Sequence, residues 1–267
     1  TLDGSTLFLG AFFFTIQIYG DFSGYSDIAI GCARLFGIDL MQNFKYPYFS
    51  RDIAEFWRRW HISLTTWFRD YIYIPLGGSR AGKWKSFRNT LVIFLVSGFW
   101  HGANWTFVAW GAYHALLFLP LLLLGQNRRY RDSVAENSFL PSVKELTQMG
   151  ATFLLVLLGW ILFRSEDISQ AAVYLERMFN VSLFSAPQLV GLGFGQLLLK
   201  KCFFFTALMF VVEWIGRKQA HGLMIEDLSL PVRYVIYTVL LIIIYGFDAS
   251  NPQAVSYTHL TLPTNSL

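Results

Sequence analysis

Charged residues are scarce in this sequence. Only 14% of its 267 residues are Asp, Glu, Lys or Arg, whereas a soluble domain usually carries about 25%. Hydrophobic residues make up 54%, and the mean hydropathy is +0.43. This deficit argues against an ordinary soluble domain and predicts an all-α fold, a polytopic bundle of transmembrane helices. The net charge of +4 is modest and its basic residues lie between apolar runs, so nucleic-acid binding is not predicted.

Cysteine and the common catalytic motifs are also rare or absent from the sequence. The two cysteines, Cys32 and Cys202, lie far apart in apolar surroundings and predict neither a disulfide framework nor a metal site. No G-x-S-x-G or H-E-x-x-H motif occurs. We therefore expect no bound metal or cofactor. An enzyme with this sequence would use histidine to activate an acceptor rather than a covalent nucleophile.

The two ends of the sequence lack features of a complete membrane protein. The first residues, TLDGSTLFLG, contain no Met, basic segment or small-residue cleavage site, so no signal peptide is predicted. We expect the chain to begin partway through a larger protein. Residues 254–267, AVSYTHLTLPTNSL, are polar and unrelated to the helix before them. We interpret this tail as translated adapter sequence and leave it, with His259, out of the functional argument.

Several apolar runs are long enough to approach the roughly 20 residues that a membrane-crossing helix needs. They are Thr6–Tyr19, running on towards Phe36; Leu91–Leu124, long enough for a short re-entrant helix plus a crossing; Leu146–Phe163; Gln196–Ile215; and Val232–Phe247.

A different kind of segment separates the first two apolar runs. From Ile53 to Tyr73, aromatic and aliphatic residues recur every three or four positions among charged ones, which predicts one amphipathic helix. Its tryptophans and arginines are typical of a helix at the membrane interface. Pro75 and two glycines then predict a turn. A basic cluster follows, which suits anionic lipid headgroups or is simply a topology signal for the cytoplasmic side of the membrane: Arg80, Lys83, Lys85 and Arg88.

His101 is the histidine placed deepest in an uncharged stretch. No Asp, Glu, Lys or Arg occurs from Asn89 to Asn127. Ionisable groups at such depth are expensive, and they indicate function unless they are satisfied structurally. Gly98 and Gly102 bracket this histidine and favour close helix approach or a helix break. A buried neutral imidazole is a suitable general base.

Other polar residues are weaker candidates. Taken alone, His61 in WRRWHISL is an interfacial residue, and His114 in WGAYHALLF is predicted to be structural. Asn104 supplies an amide that would hydrogen-bond a substrate carbonyl or a neighbour. Asp21 and Asp27 interrupt an apolar helix; they form either a capped polar break or the polar lining of a water-filled tunnel.

Three stretches together closely resemble the membrane-bound O-acyltransferase family. They are QIYGDFSGYSDIAIG, NFKYPYFSRDIAEFWRRWHISLTTWFRDYIYIPLGG and SGFWHGANWTFVAWGAYHA. The match is dense over residues 16–120 and looser to Pro252. The branch it resembles most is the bacterial alginate O-acetyltransferase membrane subunit, with its polysaccharide and peptidoglycan O-acetylating relatives. Chains of this family are longer, so residues 1–253 are expected to be the C-terminal portion of a single membrane domain.

The resemblance implies a specific function. His101, in the WHG motif, would be the catalytic residue and His61 its companion. The fold would be a helical bundle pierced by a tunnel, with Asn104, Asp21, Asp27 and Trp100 as candidate tunnel or substrate-binding residues. An acetyl group would pass from a cytoplasmic donor, acetyl-CoA, towards a polysaccharide hydroxyl outside the bacterial inner membrane. A periplasmic SGNH-type acyltransferase would be the partner.

One alternative of a different class stays open. A membrane transporter or channel fragment that uses His61 and His101 as a proton path would have the same composition. Acyl transfer predicts a covalent product that depends on an acyl donor, whereas transport predicts flux without one.

Overall fold

The computed structural model describes residues 2–80, 82–188 and 196–248, and these are helical with no β-strand. The longer helices are α1 (Gly4–Leu35), α4 (Lys83–His101), α5 (Trp105–Leu123), α6 (Val143–Arg164), α8 (Gln196–Gly216) and α9 (Leu230–Asp248). Shorter helices are α2 (Ile53–Arg59), α3 (Ile62–Phe68) and α7 (Ile168–Met178). Two 3-10 turns, Pro47–Phe49 and Val181–Phe184, and one π-helical turn, Arg69–Tyr73, complete the described elements. The predicted tail, residues 254–267, lies outside the described residues.

The predicted apolar runs all form helices where they are described. Of these helices, α5 and α6 are long and apolar enough to cross a membrane, judged by length and composition. The first run is one continuous helix of 32 residues, about 48 Å long at 1.5 Å per residue. Large apolar side chains such as Ile242 and Tyr245 on α9 are mostly exposed. Exposed apolar faces of this kind suit a hydrocarbon environment better than water.

The run from Leu91 to Leu124 folds as a tight helical hairpin. A Cβ added at Gly98 of α4 would lie 2.2 Å from the carbonyl oxygen of Phe107 on α5. A Cβ at Gly111 of α5 would lie 2.3 Å from the carbonyl oxygen of Phe94 on α4. The two backbones therefore touch where glycine removes the side chain. Of the two alternatives predicted for the glycines around His101, Gly98 shows the close helix approach and Gly102 the helix break.

The prediction of one helix over Ile53–Tyr73 is wrong. The segment breaks after Arg59, because Trp60 adopts an extended conformation and His61 a left-handed one with φ 43° and ψ 56°. A second departure is the π-helical turn after Phe68, where the Ile74 N–H donates to the Arg69 carbonyl at 2.9 Å. The three- and four-residue spacing of apolar residues continues across these breaks, so the pattern alone does not reveal them.

A buried ionic cluster fixes α2 against α6. The Glu55 carboxylate, 1% exposed, accepts hydrogen bonds from Arg51 at 3.0 Å and from Arg59 at 2.7 Å. Arg51 also reaches Asp132 at 3.2 Å and Glu145, near the start of α6, at 3.4 Å. Buried charges persist only when paired and hydrogen-bonded. The cluster therefore holds α2, and with it the break before His61, at a fixed position on the helical core.

Aromatic side chains fill the centre of the fold. Trp110 of α5 and Trp160 of α6 are 1% and 2% exposed, and their rings stack at 5.8 Å. Trp60 packs against Trp160 at 5.0 Å. His114 is fully buried between α5 and α6, with its Nε2 2.6 Å from the Cβ position of Gly159. These rings form the wall behind the cavity described next.

Candidate active site

A cavity of about 520 Å³ lies beside the aromatic core. Side chains from α1 to α6 line it, and both His61 and His101 are among them. Along α5 the lining runs from Trp110 to Leu122, a distance of about 18 Å at the helical rise. The part of α5 that lines the cavity is therefore more than three helical turns long.

His101 is placed in the cavity wall by the end of α4. It is the last residue of that helix, and Gly102 follows with an extended backbone at φ 159°. Four aromatic rings surround its imidazole: Trp100 at 4.9 Å, Phe163 at 5.0 Å, Trp110 at 5.3 Å and Phe107 at 6.3 Å between centroids. Such an apolar surrounding favours the neutral imidazole, which is the form that accepts a proton.

His61 enters the cavity from the break between α2 and α3. Its ring contacts Phe22 of α1 edge-on at 4.7 Å and lies 6.4 Å from Trp100. Burial lowers the pKa of His61 from 6.5 to about 4, and the neighbouring His101 adds to the same shift. A second neutral imidazole thus faces the cavity near the first.

Trp100 connects the two histidines. Its ring lies 4.9 Å from that of His101 and 6.4 Å from that of His61, and it lines the same cavity. It is 51% exposed. The fold therefore brings His61 and His101, which are 40 positions apart in the sequence, to one site. No local sequence pattern could show this proximity.

Asn104 has a structural role that leaves it away from the cavity. Its Oδ1 accepts a hydrogen bond from the Thr106 N–H at 3.0 Å and so caps α5. Its Nδ2 donates to the Glu166 carbonyl at 2.6 Å, which ties the hairpin to the turn before α7. Asn104 is not among the lining residues. The structure thus gives its amide a capping function and does not bring it to the histidines.

The two aspartates of α1 also lie outside the cavity lining. Ile18 and Phe22 are the α1 residues that face the cavity, whereas Asp21 is half-buried elsewhere on the helix and Asp27 is exposed. The polar tunnel face suggested for these aspartates is therefore not part of this cavity. Sequence reasoning could not resolve this, because the face that α1 presents depends on its neighbours.

The arginines of the site were not predicted from the sequence. Arg58, Arg69 and Arg128 line the cavity, whereas the basic cluster from Arg80 to Arg88 does not. Arg58 also donates to the Asn127 carbonyl at 2.5 Å. Arg128 follows α5 at the end opposite His101, and Arg69 is paired with the Asp70 carboxylate at 2.7 Å. The only local signal for these arginines in the sequence was the position of Arg58, three residues before the candidate histidine His61.

The chemistry of the site is that of neutral bases in an apolar chamber. Within the described ranges, no group of three His, Cys, Asp or Glu side chains could hold a metal ion. The polar groups at the cavity wall include the two imidazoles, three guanidinium groups and threonine hydroxyls. This arrangement can accept a proton from a hydroxyl and can attract an anionic ligand.

Comparison with known proteins identifies relatives of the chain. Residues 5–139 match the model of the membrane-bound O-acyltransferase family. A probable alginate O-acetylase, AlgI, from Pseudomonas aeruginosa is 43% identical over 196 residues, 72% of this chain and 36% of that protein. A peptidoglycan O-acetyltransferase from Helicobacter pylori is 39% identical over 169 residues, 63% of this chain and 31% of that protein.

A third relative extends the range of acyl groups. A teichoic acid D-alanyltransferase from Bacillus subtilis is 30% identical over 163 residues, 57% of this chain and 40% of that protein. The chain spans between about a third and two fifths of the length of these curated relatives. The family model nevertheless covers half of the chain, including both cavity histidines. The chain belongs to the membrane-bound O-acyltransferase family.

Proposed function

We propose that this protein is an integral-membrane O-acetyltransferase with His101 as its general base. It transfers an acetyl group from a cytoplasmic thioester, acetyl-CoA, towards a hydroxyl of a cell-envelope polysaccharide. The observation that carries the proposal is the cavity itself: both His61 and His101 line it, and the ring of Trp100 lies near both imidazoles. The relatives' names support the reaction class, since they include an alginate O-acetylase and a peptidoglycan O-acetyltransferase.

The proposed chemistry in the cavity is a single-step transfer from the thioester to an acceptor hydroxyl. The acceptor oxygen forms a bond to the thioester carbonyl carbon while the imidazole of His101 takes the hydroxyl proton. The carbon–sulfur bond then breaks, and the proton passes to the departing thiolate, which leaves as a free thiol. General-base assistance of this kind contributes about 10²- to 10⁴-fold. His61 stands where it can orient the donor or polarise its carbonyl.

The arginines that line the cavity suit the donor. Arg58, Arg69 and Arg128 line the same cavity as the histidines. Guanidinium groups bind phosphate through paired hydrogen bonds. In this proposal the phosphates of acetyl-CoA lie near these arginines, and the acetyl group extends along α5 towards His101.

The location and partner follow from the same hypothesis. The protein is multi-pass in the bacterial inner membrane, with α5 and α6 as two of its crossings. A periplasmic SGNH-type acyltransferase completes delivery to the polymer. The acceptor belongs to the polysaccharide class suggested by the alginate and peptidoglycan relatives.

The test is a histidine substitution in the complete protein, expressed in a host that lacks its own copy. We expect His101→Ala to abolish acetyl esters on the surface polysaccharide while the amount of protein in the membrane stays unchanged. His221→Ala, a histidine in the turn after α8 and outside the cavity lining, is the matched control and should retain acetylation. If acetylation persists in abundant His101→Ala protein, the general-base assignment fails and a proton path for transport becomes the better explanation.

A further inference from the structure

Helix α3 is capped by a residue that is distant in the sequence. The first N–H groups of a helix have no partner within it, and the N-cap side chain usually accepts one of them. Here the N-cap residue is His61, and its side chain makes no such bond. Instead the carbonyl of Asn43 accepts the Ile62 N–H at 2.9 Å, and the Asn43 Oδ1 accepts the Ser63 N–H at 3.2 Å.

Asn43 makes further bonds on both sides of the helix break. Its Oδ1 also accepts from the Ser63 hydroxyl at 2.5 Å, and its Nδ2 donates to the Ser26 hydroxyl of α1 at 3.4 Å. Two residues further on, the Lys45 N–H donates to the Arg59 carbonyl at 3.0 Å. The segment 43–45 therefore binds the chain just before and just after the break, and α1 holds Asn43 in place.

These bonds act on a residue in an unfavourable backbone conformation. His61 lies in the left-handed region at φ 43°, where residues other than glycine are uncommon and persist only when their surroundings fix them. If the bonds from Asn43 were lost, the Ser63 N–H would need another acceptor, and the imidazole of His61 is the nearest side chain in the usual capping position. Either relaxation of the backbone or capping by His61 would turn its ring away from the cavity.

We propose that Asn43 is a positioning residue for His61. By capping α3 in place of His61, it leaves the imidazole free to face Phe22, Trp100 and the cavity. The catalytic consequence rests on the proposed function, whereas the positioning itself is a property of the fold. No contact between Asn43 and the substrate is required, since Asn43 is not among the cavity-lining residues.

The experiment compares three substitutions in the complete, membrane-embedded protein. Asn43→Ala removes the side-chain acceptor, and Asn43→Asp keeps an Oδ1 acceptor. Asn180→Ala is the matched control, because the Asn180 Oδ1 also accepts from the N–H of a serine two residues later, Ser182, at 2.7 Å and caps a remote 3-10 turn.

Two measurements are made on each variant. The first is kcat and KM for acetyl transfer per folded molecule. The second is the rate at which diethyl pyrocarbonate modifies His61, followed by mass spectrometry of its peptide. For Asn43→Ala we expect kcat to fall about 10- to 100-fold with little change in KM, since misplacement by about 1 Å has effects of this size. The His61 modification rate should change several-fold.

Asn43→Asp should restore both values towards wild type, and Asn180→Ala should change neither. A structural role alone predicts less protein in the membrane but wild-type kcat and wild-type His61 reactivity in the surviving molecules, and that result overturns the proposal. Unchanged His61 reactivity in Asn43→Ala overturns it equally. If His61 reactivity changes while the wild-type protein transfers no acyl group, the positioning role stands and the proposed function fails.

Discussion

Gly98→Ala is the substitution that tests most directly how the α4–α5 hairpin places His101. The added Cβ would lie 2.2 Å from the Phe107 carbonyl oxygen, whereas ordinary van der Waals contact begins at 3.4 Å. The two helices must therefore separate locally by about the 1.2 Å difference between these distances. The obstacle is backbone, so no side-chain rotation can relieve it, and His101 lies only three residues further along α4.

The expected magnitude combines two opposing terms. Overpacking of a tight contact costs about 1–3 kcal/mol, and the upper end applies because backbone must move. Replacing glycine by alanine within a helix returns about 1 kcal/mol. We expect a net loss of about 2 kcal/mol, which lowers the unfolding midpoint by roughly 4–8 °C for a chain of this size. Activity should fall about 100-fold, because a shift near 1 Å misplaces the general base.

The assay measures thermal unfolding and acetyl transfer per folded molecule on the same purified, detergent-solubilised protein. Gly150→Ala in α6 is the matched control, since no described atom lies within 4 Å of its Cβ position. It should keep full activity and equal or slightly higher stability. Wild-type stability and activity in Gly98→Ala would refute the claim that the close helix contact positions His101.

Two further predictions concern the segment around α2 and α3. Glu55→Gln leaves Arg51 and Arg59 without their shared buried carboxylate, so we expect a loss of about 3–5 kcal/mol in the free energy of unfolding. Asp70→Asn, at the exposed ion pair with Arg69, should have no measurable effect. Equal unfolding midpoints for the two variants would contradict a stabilising role of the buried carboxylate. Burial lowers the pKa of His61 from 6.5 to about 4. As the pH falls, the imidazole is therefore protonated in the unfolded chain before it is protonated in the folded protein. The stability contributed by the neutral ring is complete above pH 6.5 and is lost between pH 6.5 and 4. His61→Asn, which tolerates the left-handed backbone, should unfold with a shallower dependence on pH in that window, and parallel profiles would exclude His61 as the titrating group.

Much of the helical architecture could be predicted because it depends on local composition. Apolar runs from Leu146 to Phe163 and from Val232 to Phe247 are near the length of a membrane span, and they form α6 and α9 within a residue or a few of the expected bounds. The close contact at Gly98 was also predictable, because a missing side chain in an apolar helix is a local feature. Periodicity failed at Trp60 and His61, where Asn43 and Lys45 bond to the chain on both sides of the helix break.

The candidate site was predicted unevenly. His101 stood out because an ionisable group in a long uncharged run needs a reason, and Trp100 lines the cavity beside it. The cavity lining does not include Asn104, Asp21 or Asp27. A polar residue in an apolar segment serves equally well as a helix cap or as a partner to another helix, so the sequence does not distinguish these roles. Arg128 was missed because its distance from His101 along the chain hides a shared cavity.

The sequence by itself determined the membrane-like composition, the helical runs, the glycines around His101 and the presence of a histidine in a long uncharged run. These properties depend on residues within one or two helical turns, where hydrophobicity and sterics act directly. Only the tertiary structure decided that His61 and His101 share one cavity and that arginines line it. It also decided that Asn43 holds the break before α3. Such relations depend on contacts between segments tens of residues apart, and these exist only once the helices have packed.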